Sequence, residues 1–136
     1  MVGDPVCASG FFGGQAKLLG IRPHADERGM LTPFAFDQLP FTPRRCFTVT
    51  GAPAGCVRGG HAHRSGMQAL FCLQGRIDIL MRYRGEEVEL TLAPSSCGLV
   101  FGPGVWCQQQ YVEDGSVLLV FASEPYDPAS YIENPA

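Results

Sequence analysis

The chain carries three histidines, and two of them stand one residue apart in Arg58-Gly59-Gly60-His61-Ala62-His63. On a β-strand, residues i and i+2 point to the same face, so His61 and His63 project together. If that face lines the interior of a barrel, two imidazoles share one pocket. Such a pair suits proton transfer, because imidazole titrates near neutral pH and can both take and give a proton. It also suits metal ligation, yet two histidines fall short of the usual three protein ligands of a catalytic site. The sequence therefore favours proton chemistry at His61 and His63, with a metal as the rival reading. The two glycines before them leave room for close approach of another backbone.

The elements that must hold this pair read as short strands. From Ala35 onward, turn signals recur every eight to twelve residues, among them Thr42-Pro43, Gly51 to Gly55, Arg64-Ser65-Gly66, Gln74-Gly75, Arg84-Gly85, Pro94-Ser95-Ser96, Gly102-Pro103-Gly104 and Glu113-Asp114-Gly115. Between them lie apolar and β-branched segments: Cys46–Thr50, Gln68–Leu73, Ile77–Tyr83, Val88–Leu92, Leu99–Phe101, Val105–Val112 and Val117–Ala122. Short strands at this spacing predict an all-β antiparallel sandwich or barrel. Alternation in Arg76 to Leu80 and Glu87 to Leu92 sends the acids to water and the aliphatics to a core. Asp127–Ile132 can form one helical turn, with Asp127 as cap and Pro128 at its first position. No long helical period, linker or repeat interrupts the pattern, so the expectation is one β domain spanning residues 1–136.

Composition agrees. The 136 residues are 17% charged, and 17 Gly with 11 Pro are costly in helices and useful in turns, which excludes a helical bundle and a disordered chain. The formal net charge of −3 gives no support to nucleic-acid or membrane binding. That charge is unevenly spread: residues 1–84 hold all 10 basic residues and five acids, and residues 85–136 hold eight acids and no Lys or Arg. Six cysteines raise a disulfide framework. Against it, the first ten residues lack the features of a secretory signal, no Cys-x-x-Cys pair occurs, and Cys46, Cys72 and Cys97 lie in apolar surroundings where free thiols act as small hydrophobes. The expectation is free thiols in a reducing cytoplasm. No apolar run is long enough for a transmembrane helix.

Several ordered motifs resemble those of one family, the cupin-type nucleotide-sugar 3,4-ketoisomerases (WxcM-like). Asp26-Glu27-Arg28-Gly29-Met30-Leu31 resembles its D-x-R-G-x-L motif, and Leu39-Pro40-Phe41 followed by Arg44-Arg45 its L-P-F and R-R segment. Arg58 to Arg64 resembles R-G-x-H-A-H followed by Lys or Arg, Gly98-Leu99 with Pro103 to Trp106 resembles G-L and P-x-x-W, and Ser123 to Ile132 is similar to S-x-x-Y-D-x-x-x-Y-I. The resemblance implies a double-stranded β-helix (a jelly-roll cupin barrel): an N-terminal strand arm at about 1–34, a barrel at about 35–123 and a tail at 124–136. It also implies a homodimer with exchanged N-terminal strands. The implied activity moves the keto group of a TDP-linked 4-keto-6-deoxyhexose from C4 to C3, without metal or redox cofactor.

By this resemblance His61 is the base at C3, and His63 holds or donates to the enediolate oxygens. Arg58 would offset charge on the intermediate or the diphosphate, with Arg22, Arg28, Arg82 and Arg84 as other diphosphate candidates. Gln68, Trp106, Cys107, Glu27 and Arg28 are candidate substrate contacts. Metal-binding cupins place a Glu where this chain has Gln68 and a last His where it has Cys107, so a zinc set would have to be His61, His63 and Cys107. Three departures bear on activity: Thr48 and Thr50 replace expected tyrosines, Cys107 stands where His or Arg is usual, and Glu27 where Tyr or Arg is. Cys107 is either a small buried residue or a thiol whose pKa a nearby imidazolium lowers enough to shuttle a proton. The departures keep two alternatives in view, a non-catalytic cupin that binds sugar nucleotides and a metal-dependent cupin enzyme.

Overall fold

The structure is a computed structural model that describes residues 10–94 and 97–133. Cys7, the Ser95-Ser96 turn, the first nine residues of the arm and the last three of the tail lie outside the described residues. Thirteen strands follow in chain order among the described residues. The N-terminal part contributes β1 (Gly10–Phe11), β2 (Ala16–Leu19), β3 (His24–Asp26) and β4 (Gly29–Leu31). Then come β5 (Arg45–Val49), β6 (Cys56–His63), β7 (Gln68–Gln74), β8 (Ile77–Tyr83) and β9 (Glu86–Leu92). The last four are β10 (Gly98–Phe101), β11 (Trp106–Tyr111), β12 (Val117–Ala122) and β13 (Tyr131–Ile132).

The strands form two facing antiparallel sheets in the order β1-β2-β10-β7-β12-β5 and β13-β6-β11-β8-β9, with β3 and β4 as a separate hairpin. This is the all-β double-stranded β-helix that the motifs imply. Its main core lies between the sheets and includes Leu70, Ile77, Ile79, Met81, Leu99, Tyr111, Leu118 and Val120. Burying such side chains contributes about 1.5–3 kcal/mol each, so the inner faces dominate stability. The alternation expected on β8 is present, with Ile77, Ile79 and Met81 buried and Asp78, Leu80 and Arg82 less so.

The six-stranded sheet departs from simple alternation because both of its faces are covered. Ala69, Phe71, Val100, Leu119 and Phe121 form a second cluster on its outer face, packed against Ile21, Phe34, Leu39 and Phe41 of the N-terminal segment. Phe34 meets the Phe71 ring edge-on at 4.7 Å. The continuous apolar runs of β7, β10 and β12 follow from this double burial.

Apolar periodicity missed β1 to β4, β6 and β13, and two of these bear on the site and its sheet. β2 is a strand through its ladder with β10, in which Lys17 opposes Val100 and Leu18 opposes Leu99. β6 contains Arg58-Gly59-Gly60 and no apolar run, and its ladder with β11 holds it extended. The helical turn expected at Asp127–Ile132 is shorter than proposed, covering Pro128–Ser130, with the Asp127 carboxylate accepting from the Ala129 amide. One cysteine expectation is corrected: Cys97 is disulfide-bonded, whereas Cys46, Cys56, Cys72 and Cys107 are free. Cys46 is also exposed and not in apolar surroundings, because it lies on the outward face of β5.

The β6–β11 ladder contains the irregularity that matters most. His61 opposes Cys107, but Gly59 opposes Gln108, so Gly60 is an extra residue in β6, a β-bulge. Gly59 and Gly60 both have positive φ, +80° and +81°. A Cβ on Gly59 would also sit 2.9 Å from the Cys107 carbonyl oxygen and 2.8 Å from Gln109 Oε1. Gly59→Ala is therefore expected to cost at least about 2 kcal/mol, combining left-handed strain with overpacking. Gly85 has a φ of +82° but nothing within 4 Å of its added Cβ, so Gly85→Ala should cost only the backbone strain. Urea unfolding of the two variants measures the difference; equal losses would remove the close approach from the explanation.

Candidate active site

The bulge turns the end of β6 so that His61 and His63 emerge together against the C-terminal segment. Their rings meet edge to face with centroids 5.2 Å apart. The Tyr131 ring stacks on His61 at 4.2 Å, with planes only 8° apart, and meets His63 edge-on at 4.8 Å. β13 reaches this position by pairing with β6, Tyr131 opposite His63 and Ile132 opposite Ala62. The strap is also clipped by the Arg64 amide donating to the Ser130 carbonyl at 2.8 Å, and by Trp106 Nε1 donating to the Glu133 carbonyl at 2.9 Å.

His61 lines a cavity of about 320 Å³ between the two sheets. Arg58, Gly59 and Gln109 lie on its β6–β11 side, Gln68, Leu70, Leu118 and Val120 on the β7–β12 side, and Arg45 and Phe47 on β5. Tyr126 and Tyr131 close it from the tail. Two arginines and no carboxylate are found among the described residues of the lining, so the cavity favours an anionic ligand. A much smaller pocket of about 20 Å³ adjoins it and is bordered by His63, Ser65, Glu124, Asp127 and Ser130. Arg45 borders both spaces. Its guanidinium carbon sits 4.4 Å from the Phe47 ring centroid and 5.0 Å from that of Tyr126, a position that holds the planar cation by cation–π attraction on two sides.

The imidazoles are tuned by this setting. Burial lowers the pKa of His61, opposed by a hydrogen bond to the Gly59 backbone and by the Glu133 charge. Burial, with the His61 and Arg45 charges, lowers His63 further, to about 4 against the pull of Glu124. Both rings are thus biased toward the neutral form, in which imidazole accepts a proton on one nitrogen and donates from the other.

Of the candidates read from the sequence, the structure brings His61, Arg58 and Gln68 to one cavity, with His63 in ring contact beside it. Trp106 does not line this cavity: its indole clamps Glu133, and the Arg82 guanidinium lies over its ring at 5.0 Å. Cys107 does not line it either. The thiol is buried in the main core, where burial pushes its pKa up to about 12, so the proton-shuttle reading is overturned. Gln109 Nε2 donates to its sulfur at 3.4 Å. A zinc set of His61, His63 and Cys107 is not assembled, and no group of three or more His, Cys, Asp or Glu that could hold a metal is found among the described residues. Glu27 and Arg28 sit at the exposed tip of the β3–β4 hairpin, where Arg28 pairs with Asp26 at 2.8 Å. Thr48 and Thr50 are exposed, although Thr48 reaches the cavity rim.

Sequence reasoning assigned no role to Arg45, Tyr126 or Tyr131. The only signal was their place inside the R-R and Y-D-x-x-x-Y-I motifs, which carry no information about what they touch.

A cupin barrel with a histidine pair beside a cavity lined by two arginines fits the class of small nucleotide-sugar 3,4-ketoisomerases. The family described as "FdtA: WxcM-like, C-terminal" matches residues 14–136, and the chain belongs to it. The TDP-4-oxo-6-deoxy-alpha-D-glucose-3,4-oxoisomerase of Aneurinibacillus thermoaerophilus is 30% identical over 117 residues, covering 85% of this chain and 84% of that protein. The 3,4-ketoisomerase QdtA of Thermoanaerobacterium thermosaccharolyticum, solved as a mutant in complex with TDP-4-keto-6-deoxyglucose, superimposes with a TM-score of 0.83 at 36% identity and 88% coverage of each chain. WlaRB, a TDP-quinovose 3,4-ketoisomerase from Campylobacter jejuni, gives a TM-score of 0.80 at 31% identity, covering 88% of this chain and 92% of its own. No helix among the described residues is long and apolar enough to cross a membrane.

The depressed His63 pKa has a consequence for stability. The unfolded chain takes up this proton near the ordinary value of 6.5, and the folded chain only near 4. Proton uptake between those values therefore favours unfolding, so stability falls as pH drops from about 6.5 to about 4 and levels off below. Denaturant unfolding across that window should show the fall, and His63→Asn should reduce it. An unchanged slope in the variant would assign the pH dependence to other groups.

Proposed function

We propose that this protein is a 3,4-ketoisomerase of a TDP-linked 4-keto-6-deoxyhexose, with His61 as the base. The observation that carries the reading is His61 on the wall of a barrel cavity with two arginines and no carboxylate, in a family whose relatives bear this activity. The C4 carbonyl acidifies the hydrogen on C3. His61, uncharged at neutral pH, removes that proton and leaves an enediolate. The proton of the C3 hydroxyl passes to the C4 oxygen and a proton is delivered to C4, which places the ketone at C3, so the reaction is redox-neutral overall. General base catalysis of this kind contributes about 10²–10⁴-fold. His63, held neutral, donates a hydrogen bond to the enediolate oxygens, which is worth most in a site with little water. Arg58 offsets the negative charge of the intermediate or the diphosphate, and Gln68 hydrogen-bonds the sugar.

The same reading includes a single cupin domain over residues 1–136, composed of arm, barrel and tail, and a homodimer. Support for the dimer comes from the exposed β3–β4 hairpin, whose Met30 and Leu31 are 53% and 64% exposed. Hairpins of that kind pair readily with a second copy. Such exchange would carry Glu27 and Arg28, remote from their own chain's cavity, toward that of the partner. A cytoplasmic location is inferred as well; the four free thiols among the described residues support it, and the disulfide at Cys97 counts against it.

The alternative, a cupin that binds sugar nucleotides without turnover, rests on the Thr48, Thr50 and Cys107 departures. Incubation with TDP-4-keto-6-deoxyglucose in D₂O separates the two. Deuterium at C3 and a 3-keto product trapped by an aminotransferase are expected; neither would appear with a binding protein. His61→Asn should lower C3 exchange by at least about a hundredfold while TDP still binds, and normal exchange in that variant would place the base elsewhere.

A further inference from the structure

The base assignment leaves open what holds the His61 ring at its angle. Packing within β6 alone does not, since imidazole rotates about two side-chain bonds and its ring torsion is broad. Three contacts confine it: the Tyr131 ring stacked at 4.2 Å and 8°, the His63 ring edge-on at 5.2 Å, and the hydrogen bond to the Gly59 backbone. Of these, the Tyr131 stack alone comes from outside β6 and alone lies parallel to the ring.

We propose that Tyr131 is a positioning residue for the reaction: the strap stacks its ring on His61 and fixes the plane in which the imidazole meets C3 of the substrate. This deepens the isomerase reading and rests on it. The placement is built into the backbone. β13 pairs Tyr131 with His63, Ser130 accepts from Arg64, Asp127 caps the preceding turn, and Glu133 accepts from Trp106. Three attachments to the barrel and one internal cap on a short segment hold one aromatic ring against one imidazole. Tyr126 packs edge-on to Tyr131 at 6.1 Å, which confines the stacking ring in turn. The contact needs an aromatic face, and the hydroxyl plays no part in it.

Two substitutions separate the ring from the rest of the side chain. Tyr131→Phe keeps the stack and should retain kcat and KM within about twofold. Tyr131→Leu keeps an apolar group and the backbone ladder but loses the flat face. It should lower kcat about tenfold to a hundredfold with KM nearly unchanged, the cost of a misaimed catalytic group. Thermal unfolding and TDP binding check that both variants are folded. A second readout does not depend on turnover: ¹⁵N and ¹H spectra of the His61 imidazole should match wild type in Tyr131→Phe and show altered shifts and line width in Tyr131→Leu. Wild-type kcat in Tyr131→Leu, or equal damage in both variants, overturns the proposal. If the wild-type protein does not exchange C3, the isomerase reading fails. An unaltered imidazole signal in Tyr131→Leu would in that case overturn the positioning role independently.

Discussion

The bulge at Gly59-Gly60 is the constraint on which the site depends. β6 pairs with β11 along most of its length, which matches its backbone donors and acceptors. It must also present two histidines to the barrel mouth while passing within van der Waals reach of the Cys107 carbonyl and the Gln109 amide. One extra residue reconciles these demands, and only residues without a Cβ tolerate both the positive φ and the close approach. From that point the histidines, the strap that pairs with them and the closure of the cavity follow.

The electrostatics follow from the same packing. Burial between two sheets disfavours imidazolium, and Arg45, held between Phe47 and Tyr126, adds a fixed positive charge near His63. A site that must accept an anion and still keep a base neutral needs both properties. The burial that disfavours imidazolium also strengthens the pull of the Arg45 and Arg58 charges on an anion in the cavity. Cys107 lies across the ladder from His61, yet its side chain enters the opposite environment, the apolar core, where a thiol stays protonated. Neighbours along a ladder need not share a site.

Much of the barrel was legible from local chemistry. Turn residues at regular spacing bounded the strands, and the acids of β8 and β9 marked the face turned to water. The runs in β7 and β12 were legible as strands but not as doubly buried ones, since Phe71 and Phe121 owe their burial to Phe34 and Phe36, far away in the chain. β2 is too short to read as a strand, β6 carries no apolar run, and both exist through their ladder partners. Cys97 reads as a small hydrophobe in sequence, and only its position in space makes it a disulfide cysteine.

The amino-acid sequence by itself determined the all-β class, the pairing of His61 with His63 on one strand face and, through its ordered motifs, the family. These properties are local: turn propensity, side-chain alternation and the identity of neighbouring residues are written within a few positions of each other. The tertiary structure decided which groups meet the pair. Arg45, Gln68 and Tyr131 converge there from β5, β7 and β13, while Trp106 and Cys107 turn away although they lie on a strand beside it. Convergence of that kind depends on sheet order and on the facing of each side chain, and a one-residue bulge is enough to change the facing.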